Sequence, residues 1–427
     1  MLRYKRTAYY IKYSAKWLFI GILTGIIGGV TGSIFVLGVT KSNMFWHGHR
    51  WMTLLLPIVG LAIIFLYSKL HFKEAKGTNR IIDSIRSKEE TPITVAPLIF
   101  VATILTHAFG GSAGREGAAV QIGGSIGSGI AKGMKLDKKD TSMVIICGVS
   151  AVFAALFNTP LTAVFFALEV TSVGILYYAG LLPCIISSLV AVKITGIFGI
   201  EKEPWNVITV PNITYDVVLK VALIGLIGAL VSIAIVVVFN FVKIVADYWI
   251  MNQYLRVFVG GLIIIGLSFI FDSGNYNGSG THMILKALNG ESNWWDFPVK
   301  LLFTAITLGT GFKGGEIVPS FFMGAVTGCC VGNLIGLDPG FAAAVGLICT
   351  FCGAVNCPVA SFIMSIELFG SEGLVLFGLA CAISYTFSGY YSLYSSQKII
   401  YSKTRAEYIN TKTNSGIHLG EDGLHKK

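Results

Sequence analysis

The chain has 427 residues, of which 54% are hydrophobic and 13% charged, with a mean hydropathy of +0.73. A soluble domain carries about 25% charged residues, so this composition excludes an ordinary soluble protein and indicates a polytopic α-helical membrane protein. The net charge of +10 is no nucleic-acid footprint, because the charges gather in tails and loops.

Residues 1–16 contain Arg3, Lys5, Arg6, Lys12 and Lys16 and no acid, so this basic N-terminus is expected in the cytoplasm. The apolar run 17–40 is long enough to span a bilayer, and an uncleaved first helix is expected rather than a signal peptide. Further apolar runs fall at 51–68, 93–109, 175–199, 214–242 and 258–271. Residues 201–213 are polar and carry two prolines, which reads as a connection. It separates a first transmembrane half, 17–200, from a second, 214–395. The remainder, 396–427, is expected as a cytoplasmic C-terminal helix and tail, disordered from about residue 410 and too short for a further ligand-binding domain.

The halves are related. Gly111, Gly114 and Glu116 recur as Gly311, Gly314 and Glu316, 200 residues later. Asn158-Thr-Pro160 through Glu169 recurs as Asn356-Cys-Pro358 through Glu367, at an offset of 198. Glycine-rich or proline-bounded pieces begin near 116, 160, 317 and 358. Such broken helices place positive N-terminal ends with free N–H groups inside the protein, where anions bind. Gly117, Ala118, Ile317 and Val318, at the starts of two of these pieces, are anion-binding candidates. A duplicated membrane protein whose helices break around a carboxylate reads as a transporter with an ion site near the midplane.

An ionisable residue inside a bilayer is a functional hypothesis. Glu116 is the first candidate. Ionised, it occupies a place that a transported anion would take; protonated, it leaves that place and carries one proton. Glu316 reads either as a second gate or proton-path carboxylate, or as a buried acid bonded to backbone amides or a partner subunit. Arg115 is expected to be structural. Glu169 and Glu367 read as helix-end acids salt-bridged to a loop base. Thr78 and Asn79 could line an anion site but read first as a turn. Tyr394 could be an interfacial anchor like Tyr390 and Tyr391. His107 is expected to be a buried, hydrogen-bonded residue.

All eight cysteines lie in apolar segments and are expected as packing residues; Cys349-x-x-Cys352 has the spacing of a metal half-site but lacks a second one. Gly110-Gly-Ser112-Ala-Gly114 has the nucleophile-elbow spacing, yet that motif needs a strand-turn-helix context that membrane helices do not supply. No enzyme activity, cofactor or metal is expected.

These residues resemble the CLC family of anion channels and anion/proton antiporters. Gly114-Arg-Glu-Gly117 is similar to its GREGP signature, with Ala118 in place of proline. Gly315-Glu-Ile-Val-Pro319 is similar to its GxFxP signature, with Ile317 in place of phenylalanine. The Asn158–Glu169 segment and Tyr394 fit as well. The resemblance implies an all-α CLC fold: an inverted-topology repeat with many tilted and broken helices, assembled as a homodimer. Glu116 would be its external gating and proton-carrying glutamate, and Tyr394 the phenol at the central anion site.

Three departures are informative. Gly77-Thr-Asn-Arg-Ile81 replaces the family's GSGIP motif, with Thr78 as the aligned donor and Asn79 beside it. Val170 stands where chloride antiporters carry an internal proton-transfer glutamate. Glu316 lies in the second signature. Together these resemble the bacterial fluoride/proton antiporter branch. The expected partners are therefore fluoride, with chloride as the alternative, together with protons, the lipid bilayer of a bacterial inner membrane and a second copy of the chain. A passive chloride channel of the same fold is a further reading.

Overall fold

The computed structural model describes residues 2–70, 76–87, 91–200, 205, 209–271 and 273–414, without the side chains of 2–11, 87 and 273. The side chains of Arg3, Lys5 and Arg6, most of the expected connection and the tail beyond 414 lie outside the described residues.

The first half contains α1 (Leu2–Gly48), α2 (Leu56–Lys69), α3 (Thr78–Ser87), α4 (Val95–Ala108) and α5 (Glu116–Gly133). It continues through α6 (Lys138–Phe157), α7 (Pro160–Glu169) and α8 (Leu181–Ile197). The second half contains α9 (Tyr215–Trp249), α10 (Gln253–Ile270), α11 (Ser273–Tyr276), α12 (Thr281–Leu288) and α13 (Asp296–Thr310). It ends with α14 (Ile317–Ile335), α15 (Pro339–Val355), α16 (Pro358–Phe369) and α17 (Leu374–Phe387).

Local chemistry sets many of these boundaries. Asp137 accepts the N–H groups of Lys139 and Asp140 at 2.9 and 2.8 Å and starts α6. Its carboxyl is held below the usual range, first by the Asp140 N–H. Prolines open α7, α15 and α16, where a missing N–H costs nothing. Asn158 and Asn356 end α6 and α15 in the left-handed conformation, each at φ 56°.

Seven of the described helices are long and apolar enough to cross a membrane. The 35 residues of α9 extend about 50 Å, which exceeds the bilayer core and requires tilt. The 14 residues of α4 extend only about 21 Å, so this helix ends within the protein. Its chain turns there through Gly110, at φ +78°. Close helix pairs fill the interior: α5 against α6 and α14 against α15. A Cβ on Gly123 would overlap the Gly148 carbonyl oxygen, and one on Gly324 the Gly346 carbonyl oxygen at 2.5 Å.

Two expectations are corrected. Residues 398–412 form no helix: β2 (Lys398–Tyr401) pairs in parallel with β1 (Ser172–Val173) and antiparallel with β3 (Tyr408–Lys412). The Ile-Ile-Tyr run of β2 suits a half-buried strand. The chain remains tied through residue 414, where Thr413 donates to the Tyr394 carbonyl at 2.8 Å and Asn414 to that of Ser392 at 2.7 Å. Nor, among the described residues, are Glu169 and Glu367 salt-bridged to a loop base. Glu367 accepts the N–H groups of Leu161 and Thr162 at 3.0 and 2.7 Å, and the Thr162 hydroxyl at 2.6 Å. Glu169 accepts those of Val359 and Ala360 at 3.3 and 3.0 Å. Each half thus caps the broken helix of the other, because those helix starts are buried away from water and need acceptors. Within the connection, Trp205 is buried and meets Phe321 edge-on at 6.0 Å.

Candidate functional site at two facing helix starts

The two glycine-rich breaks meet as a short antiparallel bridge. Gly114 and Gly315 exchange N–H···O bonds of 2.7 Å each way. On either side, the Ser112 N–H donates to the Thr307 hydroxyl at 3.2 Å and the Lys313 N–H to the Thr106 hydroxyl at 3.3 Å. From this bridge α5 and α14 depart with Arg115 and Glu316 as their N-cap residues. Two positive helix ends are therefore held side by side at depth. Gly315 is required by the close approach, since a Cβ there would lie 2.6 Å from the Gly117 nitrogen.

The carboxylate of Glu116 lies across both helix starts and is fully buried. Its Oε2 accepts the Arg115 N–H at 3.1 Å and the Val318 N–H of α14 at 3.2 Å. Its Oε1 has no hydrogen-bond partner among the described residues. An ionised carboxylate there uses a donor that a free anion could use instead, and a neutral one gives up most of that attraction. Ala118 and Ile317 are fully buried in the adjoining first turns. The Gly117 carbonyl accepts from Gln121 at 3.0 Å and from the Thr78 hydroxyl at 3.3 Å.

Glu316 does not mirror Glu116. The bridge and the paired Thr106 and Thr307 contacts set the structural offset at 201, so Glu316 corresponds to Arg115, and Ile317 to Glu116. The 200-residue match of the glutamates is one residue out of register. The Glu316 side chain instead lines a cavity of about 470 Å³ together with Thr78, Asn79 and Tyr394. Its carboxylate accepts a hydrogen bond from its own backbone N–H and, among the described residues, bridges no second helix start.

Tyr394 is 1% exposed, and its hydroxyl has no protein partner among the described residues although it lines the cavity. An interfacial anchor would place its phenol toward water; this one points into the protein. Thr78 opens α3 beside it. Asn79 plays a positioning part, because its Oδ1 accepts the Ser396 N–H at 2.9 Å and ties α3 to the segment carrying Tyr394. Tyr390 is half-exposed and bonds Ser402 at 3.1 Å.

Other residues fall outside this site. His107 is buried and shares hydrogen bonds with Asn43 at 3.0 Å and the Gly114 carbonyl at 3.3 Å, as expected for a structural histidine. The Ser112 hydroxyl donates to the Tyr276 carbonyl at 2.9 Å. The thiols of Cys349 and Cys352 contact the carbonyls of Ile224 and Cys381. Two lysines were passed over in the sequence. Lys313 lines the cavity. Lys300 is fully buried and donates to the carbonyls of Tyr276 and Gly278 at 3.0 and 2.8 Å. A charge inside an otherwise apolar run was the available signal for both.

Comparison with known proteins agrees with this geometry. The family model described as "Voltage gated chloride channel" matches residues 59–389. A "Chloride/fluoride channel protein" of Pseudomonas syringae pv. tomato is 34% identical, covering 92% of this chain and 88% of its own. An "H(+)/Cl(-) exchange transporter ClcA" of Vibrio vulnificus is 25% identical over 84% of this chain and 83% of its own. The crystal structure of a CLC-type fluoride/proton antiporter superposes with a TM-score of 0.87 at 31% identity, covering 91% of this chain and 98% of that one. The duplicated broken helices around Glu116 and these matches together show that the chain belongs to the CLC family.

Proposed function

We propose that this protein exchanges fluoride for protons across a bacterial inner membrane, as a homodimer with both termini in the cytoplasm. The observation that carries the reading is the Glu116 carboxylate on the Val318 N–H. Anion and carboxylate compete for one pair of helix ends, so an arriving anion displaces the side chain, which can then take a proton. Each swap moves an anion one way and a proton the other. Thr78 and Tyr394 serve as hydroxyl donors to the anion, and Glu316 as a proton-path carboxylate on the cavity wall.

Fluoride over chloride is supported by the names of the Pseudomonas relative and of the fluoride/proton antiporter structure described above, and by Thr78-Asn79 in the altered donor motif. Fluoride is small and strongly hydrated, and stripping its water demands short, strong donors. Chloride/proton exchange is the second reading, supported by the Vibrio relative. Paired efflux from proteoliposomes loaded with fluoride or chloride, with a pH electrode alongside, tests both. Fast fluoride efflux with linked proton uptake and slow chloride efflux is expected. Chloride efflux as fast as fluoride efflux transfers the protein to the chloride reading. Efflux with no proton movement removes antiport.

A further inference from the structure

The cavity that carries Thr78 and Tyr394 has an uneven charge. Lys76, Lys243, Arg256 and Lys313 line it against only two carboxylates, Asp247 and Glu316. Arg256 is ion-paired with Asp247. Lys313 is different. It is half-buried, and its ammonium lies 4.8 Å from the centre of the Tyr67 ring, with no acidic partner among the described residues. A desolvated cation without a counter-charge is costly, and the ring compensates only in part, by about 0.5–2 kcal/mol.

The backbone fixes where that charge stands. The Lys313 N–H is held by the Thr106 hydroxyl, three residues before Glu316 and two before Gly315 of the bridge. Its counterpart in the first half is Ser112, whose N–H is held by Thr307 in the same way. Ser112 is fully buried, and its hydroxyl bonds a carbonyl. At this position the duplication carries a lysine in the second half only, where it lines the cavity that also holds the orphan Tyr394 hydroxyl.

We propose that Lys313 is an anion-binding residue: the ammonium that receives a small hard monovalent anion in the cavity before it reaches Thr78 and Tyr394. The counter-charge it lacks in the protein is supplied by the ion itself. Tyr67 holds the side chain from one side and leaves its remaining N–H groups to the cavity. Lys243, which lines the same cavity, draws anions toward it. The proposal rests on the anion-transport reading above and adds a binding residue to it.

The test is calorimetric titration of sodium fluoride, and separately sodium chloride, into purified wild type, K313Q and K313R, with half-saturation of efflux measured in proteoliposomes. Removing a unit charge several ångströms from the ion, at an effective dielectric of about 20, weakens binding about tenfold or more. K313Q is therefore expected to bind about tenfold more weakly, and K313R to remain within about threefold of wild type, because the charge is what matters. Unchanged affinity in K313Q overturns the proposal. So does K313R as weak as K313Q, which makes the role one of shape. If K313Q and K313M both fail to fold while K313R folds, the cation is structural and the proposal is overturned. Proton coupling in wild type is scored separately. Its absence removes the antiport reading while the titrations still decide Lys313.

Discussion

Gly114 and Gly315 exchange both of their backbone hydrogen bonds at 2.7 Å, and this pair joins the two halves of the protein at its centre. Everything at the site follows from that register. It aims the start of α14 at the Glu116 carboxylate. It also separates the two glutamates in role: one bridges two helix ends, while the other faces a cavity.

The bridge leaves no room for a side chain. In G315A the new methyl would sit 2.6 Å from the Gly117 nitrogen and 2.8 Å from that of Glu116. Overpacking of this kind costs about 1–3 kcal/mol. G315A is expected to lower the unfolding midpoint in detergent and to slow efflux by more than tenfold; wild-type transport in G315A would show that the close approach is dispensable.

Glu116 and Glu316 are expected to fail differently. In E116Q the amide oxygen still accepts the Val318 N–H, but the group no longer exchanges a proton. Anion efflux should persist with proton uptake at background. E316Q should slow exchange and leave stability within about 0.5 kcal/mol, since the amide oxygen can still accept from the residue's own N–H. Identical phenotypes, with anion flux intact and protons lost in both, would contradict the unequal placement.

The reciprocal caps predict a stability effect far from the ion path. E367A strands the N–H groups of Leu161 and Thr162 and the Thr162 hydroxyl, at a cost of about 2–4 kcal/mol. E169A loses two longer bonds and should cost less. Denaturant unfolding of both variants checks the order.

Two tyrosines give an internal contrast. Y394F removes a hydroxyl with no protein partner, so unfolding should change by less than about 0.5 kcal/mol while half-saturation of fluoride efflux rises. Y276F breaks a buried 2.6 Å bond to Asp296 and should cost about 1–3 kcal/mol. A Y394F variant destabilised as much as Y276F would place the Tyr394 hydroxyl in the packing rather than in the ion path.

The repeat was legible in the sequence, but its register was not. At an offset of 201, Thr106 matches Thr307, Gly114 matches Gly315 and Gly123 matches Gly324; the glutamates pull the eye to 200 instead. The later offset of 198 arises because α6 has 20 residues and α15 has 17. The partners of Glu169 and Glu367 were hidden because an acid at a helix end looks the same whether it meets a loop lysine or a distant helix start. The strands after residue 398 were missed because their pairing partner, Ser172–Val173, lies in the other half.

The sequence by itself determined the membrane class, the duplication and the broken helices. These depend on composition and local spacing, which a linear reading contains. Only the tertiary structure decided that Val318 faces Glu116, that Tyr394 points inward, that Glu316 stands out of register with Glu116 and that Lys313 lines one cavity with Tyr394. Those facts depend on where segments some two hundred residues apart come to rest against each other. Backbone hydrogen bonding across the bridge, not the resemblance of the two motifs, sets that.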